Sequence, residues 1–173
     1  AVKVPVADLR SEPHTSAIAG IHDPRQESQL LYGERVRVID IQDGWAQVEA
    51  MEQAEYTHKK RWQGYPGWLP LGSLTSASGM SEPTIVVTAR WAKLWSDAYR
   101  ATALDWQLPL GTLLHATEIA GKLWKVEFVD GTFAWINYED ALSLEQLAML
   151  NPVEKRQLLL QAPLQPFLAA AHI

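Results

Sequence analysis

Gly64-Tyr65-Pro66-Gly67-Trp68-Leu69-Pro70 is the stretch on which the reading of this chain turns. Two glycines and two prolines predict a tight turn feeding a short strand. Between them stand a tyrosine and a tryptophan, each an apolar ring with a polar atom at its tip, suited to a core or to the wall of a groove. Two readings are open: a structural corner with core aromatics, or a corner in which Trp68 is core and Tyr65 is presented to a ligand.

Working back from that stretch, a polar excursion runs from Met51 to Gln63. Before it, Trp45-Ala46-Gln47-Val48-Glu49 alternates as a return strand, and Gln42-Asp43-Gly44 carries hairpin-turn chemistry, with Gly44 supplying a positive φ. Val36, Val38 and Ile41 nearly alternate, which predicts a half-buried strand. Val2 to Arg10 reads as an extended strand entering a long loop over 13–26, and Ser28 to Tyr32 runs into Gly33. On the other side, Leu71-Gly72-Ser73-Leu74 predicts one 3₁₀ turn and a last short strand.

The second half of the chain repeats this order. Leu108 to Thr112 parallels Gln29 to Glu34, Ala120-Gly121-Lys122-Leu123-Trp124 parallels Gln42-Asp43-Gly44-Trp45, and Phe133-Ala134-Trp135-Ile136 parallels Pro66-Gly67-Trp68-Leu69. Glycines 33 and 111 lie 78 residues apart and tryptophans 45 and 124 lie 79 apart, but tryptophans 68 and 135 only 67. The first copy therefore holds an insertion of about a dozen residues before the Tyr65 stretch, and no tyrosine precedes the matching stretch of the second copy. That asymmetry favours a specific task for Tyr65. Core packing is expected for at least three of Trp45, Trp68, Trp124 and Trp135. Trp62, Trp91, Trp95 and Trp106 have no fixed counterparts and are left open between packing, inter-domain contact and ligand surface.

The predicted class is mainly β: two small barrels in tandem followed by a short helical segment. The expected divisions are 1–75 for the first barrel with its insertion at about 50–63, a Ser/Gly-rich linker over 76–83, 84–142 for the second barrel, and 143–173 for the helical part. There, Ser143-Leu144-Glu145-Gln146 has a capping-box pattern, and Asn151-Pro152-Val153-Glu154 combines an N-cap, a first-turn proline and an acid three residues on. The helix so begun should stop before Pro163, and the apolar run Pro166 to Ile173 must bury against something.

Bulk composition narrows the function. With 47% hydrophobic and 20% charged residues the chain should fold as a globular protein. A net charge of −5 argues against nucleic acid as a partner. The one basic cluster, His58-Lys59-Lys60-Arg61, reads as a solvated loop beside Glu52 and Glu55. No cysteine is present, so a disulfide, a thiolate metal site and a cysteine nucleophile are excluded from these residues. The five scattered histidines show no paired spacing for a metal, and no cofactor is expected. No stretch reaches membrane-spanning length, and the N-terminus lacks a basic stretch followed by an apolar run.

The pattern Leu31, Gly33, Val36, Asp43-Gly44-Trp45, Val48, Gly67-Trp68-Leu69-Pro70 and Leu74 resembles bacterial SH3-like domains. Glu27-Ser28-Gln29, the insertion and Gly64-Tyr65-Pro66-Gly67-Trp68 bring it closer to the tandem SH3-like half of NlpC-type cell-wall cysteine peptidases, the γ-D-glutamyl-L-diamino-acid endopeptidases. The resemblance covers essentially the whole chain. It implies the accessory half of a peptidoglycan stem-peptide hydrolase, because the family's Asp-Cys-Ser-Gly nucleophile motif is absent here. The helical end would then lead toward a catalytic domain, the expected partner. The resemblance further implies that Glu27 and Tyr65 face the free N-terminal amine of the L-Ala of a stem peptide. It leaves open a bacterial envelope or a cytoplasmic setting. The alternatives are a stand-alone SH3-like module that binds peptidoglycan through an aromatic groove, and a general SH3-like interaction protein.

Overall fold

The computed structural model describes residues 1–14 and 23–161. The middle of the loop expected over 13–26 and the apolar run from Pro166 lie outside them. The first half forms β1 (Val6–Arg10), β2 (Gln26–Leu31), β3 (Val36–Gln42), β4 (Trp45–Glu55) and β5 (Gln63–Pro70), then a 3₁₀ turn, Leu71–Ser73. These pair antiparallel in the order β2-β1-β5-β4-β3. The second half forms β6 (Ile85–Val87), β7 (Trp91–Trp95), β8 (Ala103–Pro109), β9 (Leu113–Ala120), β10 (Leu123–Glu127), β11 (Phe133–Asn137) and β12 (Ala141–Ser143), with a 3₁₀ turn at Tyr138–Asp140. Their order is β12-β6-β9-β10-β11-β7-β8. The mainly β class and the short helical end are as expected. Hydrogen bonding among the described residues leaves each sheet open rather than closing it into a full barrel.

The repeat holds at the level of backbone geometry. Gly33 and Gly111 share a left-handed φ of 87° and 89°. Gly33 N–H donates to the Val2 carbonyl and Gly111 N–H to that of Val87, both at 2.9 Å. A side chain at this φ would be strained, which is why the position is glycine in both copies. The Asp43-Gly44 turn also forms as read, with φ of 48° and 80°, the twist a two-residue hairpin needs.

The quoted stretch departs from expectation. Gln63 to Pro70 is not a turn but a full strand between β4 and β1. Its glycines serve close approach: a Cβ on Gly64 would lie 2.7 Å from the Ala50 carbonyl oxygen, and one on Gly67 2.6 Å from Leu9 Cγ. The polar excursion is likewise shorter than read, because β4 continues to Glu55 and leaves only 56–62 as the turn.

The expected core tryptophans need correcting as well. Only Trp124 is buried; Trp45, Trp68 and Trp135 are half-exposed. In β5 and β11 the inward positions are Gly67 with Leu69 and Ala134 with Ile136, and the intervening tryptophan takes the outer face. Trp45 and Trp124 are not equivalent either. Gln47 opposes Trp68 while Lys125 opposes Trp135, so Trp124 stands in register with Ala46. One residue of offset reverses the face. Val38 and Ile41, read as apolar positions of a half-buried strand, are about half exposed, as is Ile39, because β3 is an edge strand.

Two apolar clusters form the core. One joins Val2, Leu9, Leu30, Val48 and Leu69; the other is built on Ile85, Leu94, Leu108, Val126 and Ile136 and also takes in Tyr32 from the first half. Trp106, one of the unassigned tryptophans, packs here, 5.4 Å from the Tyr32 ring centroid. The helices α1 (Leu144–Met149) and α2 (Pro152–Gln161) carry the caps read from sequence: Ser143 and Gln146 exchange capping-box bonds, and Asn151 Oδ1 accepts from the Val153 and Glu154 N–H groups.

Candidate functional site

Two β-bulges place the residues of interest. In the β1–β2 ladder Leu9 opposes Ser28 and Arg10 opposes Gln26, so Glu27 is the extra residue and has no partner across the strand. In the β4–β5 ladder Ala50 opposes Tyr65 and Ala54 opposes Gly64, which leaves Met51, Glu52 and Gln53 bulged out. A bulge bends the strand and redirects a side chain. Here the two bulges aim Glu27 and Tyr65 at each other: the Tyr65 hydroxyl donates to Glu27 Oε2 at 3.0 Å. Gln53 bridges the bulges, with its Nε2 donating to the Gln29 carbonyl at 2.9 Å and its Oε1 accepting from Ser28 Oγ at 2.6 Å. Glu27 is exposed and Tyr65 half-buried. Burial, followed by the hydrogen bond and charge of Glu27 and the charge of Glu55, pushes the Tyr65 phenol above its usual range. It therefore stays protonated and keeps donating to Glu27, with its own lone pairs left over for a ligand.

Beside this pair sits the turn of the insertion. Glu55 ends β4 with 7% of its surface exposed. Burial alone would raise its pKa, but hydrogen bonds from Gln63, from the backbone and ring of His58 and from Thr57 bring it down to about 2. The His58 N–H lies 3.1 Å from Glu55 Oε2 and His58 Nδ1 lies 3.2 Å from the same oxygen. So held, the His58 ring meets the Tyr65 ring edge-on at 5.4 Å between centroids. Lys59 reaches toward buried Glu49, which also pairs with Arg37. The basic cluster read as a solvated loop is exposed, but His58 is tied into the site. Sequence reasoning passed over Gln53, Glu55 and His58. The available signal was that all three belong to the segment the second copy lacks.

Among the described residues no group of three or more His, Asp or Glu is placed to hold a metal ion, and no helix is long and apolar enough to cross a membrane.

This architecture, with a bulge-placed carboxylate and tyrosine on the first of two small sheets, defines a tandem SH3-like unit. Residues 19–53 match the family described as bacterial dipeptidyl-peptidase Sh3 domain. A gamma-D-glutamyl-L-lysine dipeptidyl-peptidase of Bacillus cereus (strain ATCC 10987 / NRS 248) is 29% identical over 121 residues, 66% of this chain and 34% of that protein. The crystal structure of an NlpC/P60 family protein from Bacillus cereus ATCC 10987 matches with a TM-score of 0.68 at 22% identity, over 82% of this chain and 55% of that one. The structural likeness carries the fold, and the sequence likeness is to the Sh3 domain of bacterial dipeptidyl-peptidases and to part of one such enzyme. This chain spans 34% of the curated relative and 55% of the solved one. It contains no cysteine, and the match to a dipeptidyl-peptidase Sh3 domain supports an accessory domain.

Proposed function

We propose that this chain is the substrate-gating half of a peptidoglycan stem-peptide hydrolase that cleaves after γ-D-Glu, and that Glu27 and Tyr65 receive the free amine of the N-terminal L-Ala. The supporting observation is the 3.0 Å hydrogen bond between Tyr65 and Glu27, residues 38 apart that share no ladder pairing. An ammonium group brings three N–H donors and a positive charge; a carboxylate and a hydroxyl whose proton is already committed offer acceptors and the opposite charge. An amide-linked L-Ala, as in intact wall, has neither the charge nor the donors, so the pair would favour released peptides. The division into units at 1–75, 84–142 and 143–173 and a catalytic domain as the partner belong to the same reading.

The test uses a protein carrying this chain and its catalytic domain. Glu27→Gln and Tyr65→Phe should each lower kcat/KM for L-Ala-γ-D-Glu-L-Lys by roughly tenfold, the worth of one charge-assisted hydrogen bond of ~1.5 kcal/mol. Unchanged kinetics in both variants would remove the assignment.

A further inference from the structure

We propose that His58 is the third acceptor of this amine pocket, making it selective for a primary ammonium over a substituted one. The inference rests on the reading of Glu27 and Tyr65 as the amine site and adds a residue and a specificity to it.

His58 stands on the turn found only in the first copy, and both of its inner groups are occupied. Its backbone N–H and its Nδ1 converge on Glu55 Oε2 at 3.1 and 3.2 Å. Glu55 is an anion across the ordinary pH range, so it accepts, and Nδ1 must carry the proton. A neutral ring protonated at Nδ1 has its lone pair on Nε2. That nitrogen makes no hydrogen bond among the described residues, and 40% of the side chain is exposed. The ring is not free to swing: its edge-on contact with Tyr65 and the two bonds to Glu55 hold it beside the tyrosine. Glu55 is thus the positioning residue, and His58 the group that faces the ligand.

Three groups gather about Tyr65: its own hydroxyl, the Glu27 carboxylate bonded to that hydroxyl, and the His58 ring packed edge-on against its ring, whose Nε2 on this proposal accepts beside the other two. A primary ammonium has three N–H bonds splayed tetrahedrally and can satisfy one acceptor with each. An N-methylated amine keeps the full charge but has lost one donor, and the methyl group would meet an unpaired acceptor. Glu27 and Tyr65 explain a preference for charge; His58 adds a preference for the number of donors.

The experiment titrates the 173-residue chain with L-Ala-γ-D-Glu-L-Lys and with its N-methyl and N-acetyl forms at millimolar concentration. Binding is followed by amide and imidazole ¹H–¹⁵N shifts in the native chain, His58→Phe, His58→Gln and Glu27→Gln. The native chain should bind the primary amine about fivefold more tightly than the N-methyl form, the worth of one hydrogen bond, with the His58 Nε2 resonance shifting. His58→Phe keeps the ring against Tyr65 and should abolish that discrimination while still rejecting the N-acetyl peptide. His58→Gln, which restores a side-chain acceptor, should recover part of it. Native-like discrimination in His58→Phe, with Glu27→Gln still losing affinity, overturns the role of His58 and leaves the amine site standing. Equal binding of all three peptides, or of none, overturns both.

Discussion

Two glycines in β5 show how little room the interior leaves around the site. Gly67 lies against Leu9, whose side chain is fully buried, and a Cβ there would also approach the Arg10 carbonyl oxygen to 2.9 Å. Gly67→Ala should therefore lower unfolding stability by about 1–3 kcal/mol through overpacking. Gly72→Ala, where nothing lies within 4 Å of the added carbon, should change it by less than ~0.5 kcal/mol. Urea unfolding of the two variants measures the contrast, and equal midpoints would contradict the packing account. Residue-level reading of the sequence did recognise these glycines as special. It assigned them to a turn because composition cannot distinguish a glycine needed for its φ from one needed for lack of a side chain. The same limit applies to Tyr65 and Glu27: family resemblance pointed to both, while their hydrogen bond depends on two bulges that no residue type announces.

At the scale of the element, the β4–β5 hairpin is organised around a buried carboxylate rather than around its turn residues. Glu55 has an ordinary value near 4.5 and is held at about 2 in the fold by its donors from Gln63, His58 and Thr57. A carboxylate with a depressed folded pKa stabilises the protein above its unfolded value and loses that contribution as pH falls toward the folded one. The wild-type chain should thus lose stability between pH 4.5 and about 2, and Glu55→Gln should show a shallower loss over the same range. Denaturant unfolding across the acid range checks this; parallel curves would show that Glu55 does not anchor the hairpin. The element was half legible. An insertion with polar ends was evident from the spacing of the repeats. That its first residues extend β4 was not, since Met51 to Glu55 lacks the apolar alternation by which a strand is read.

Across the whole molecule, Tyr32 ties the two sheets together. It leaves the first sheet at the end of β2, is 4% exposed, packs on Trp106 and Phe128, and accepts a hydrogen bond from the Val129 N–H at 2.9 Å. Tyr32→Ala should cost about 3–5 kcal/mol. Tyr32→Phe, which orphans the Val129 N–H, should cost about 1–3 kcal/mol. Burial raises the Tyr32 phenol to about 12 from an ordinary 10. A group raised in this way contributes stability that is complete below pH 10 and lost as pH rises through 12. Thermal melts should show that alkaline loss in the native chain and a weaker one in Tyr32→Phe; identical alkaline profiles would exclude Tyr32 as its source. The two repeat glycines flank the same seam, Gly111 lying 3.4 Å from Leu31 Cδ1 as measured from an added Cβ.

Sequence alone determined the features whose physics is local. The Asp43-Gly44 turn and the caps at Ser143 and Asn151 each depend on a few adjacent residues, so they could be read one stretch at a time. Tertiary structure decided which face each strand presents and what lies across from it. Trp68 and Trp135 point outward, β3 is an exposed edge, Tyr32 belongs to the other sheet's core, and Glu27, Tyr65 and His58 meet at one place. A strand's burial is set by its partners and by its register against them. A bulge shifts that register by a residue, and a shift of one residue exchanges inside for outside.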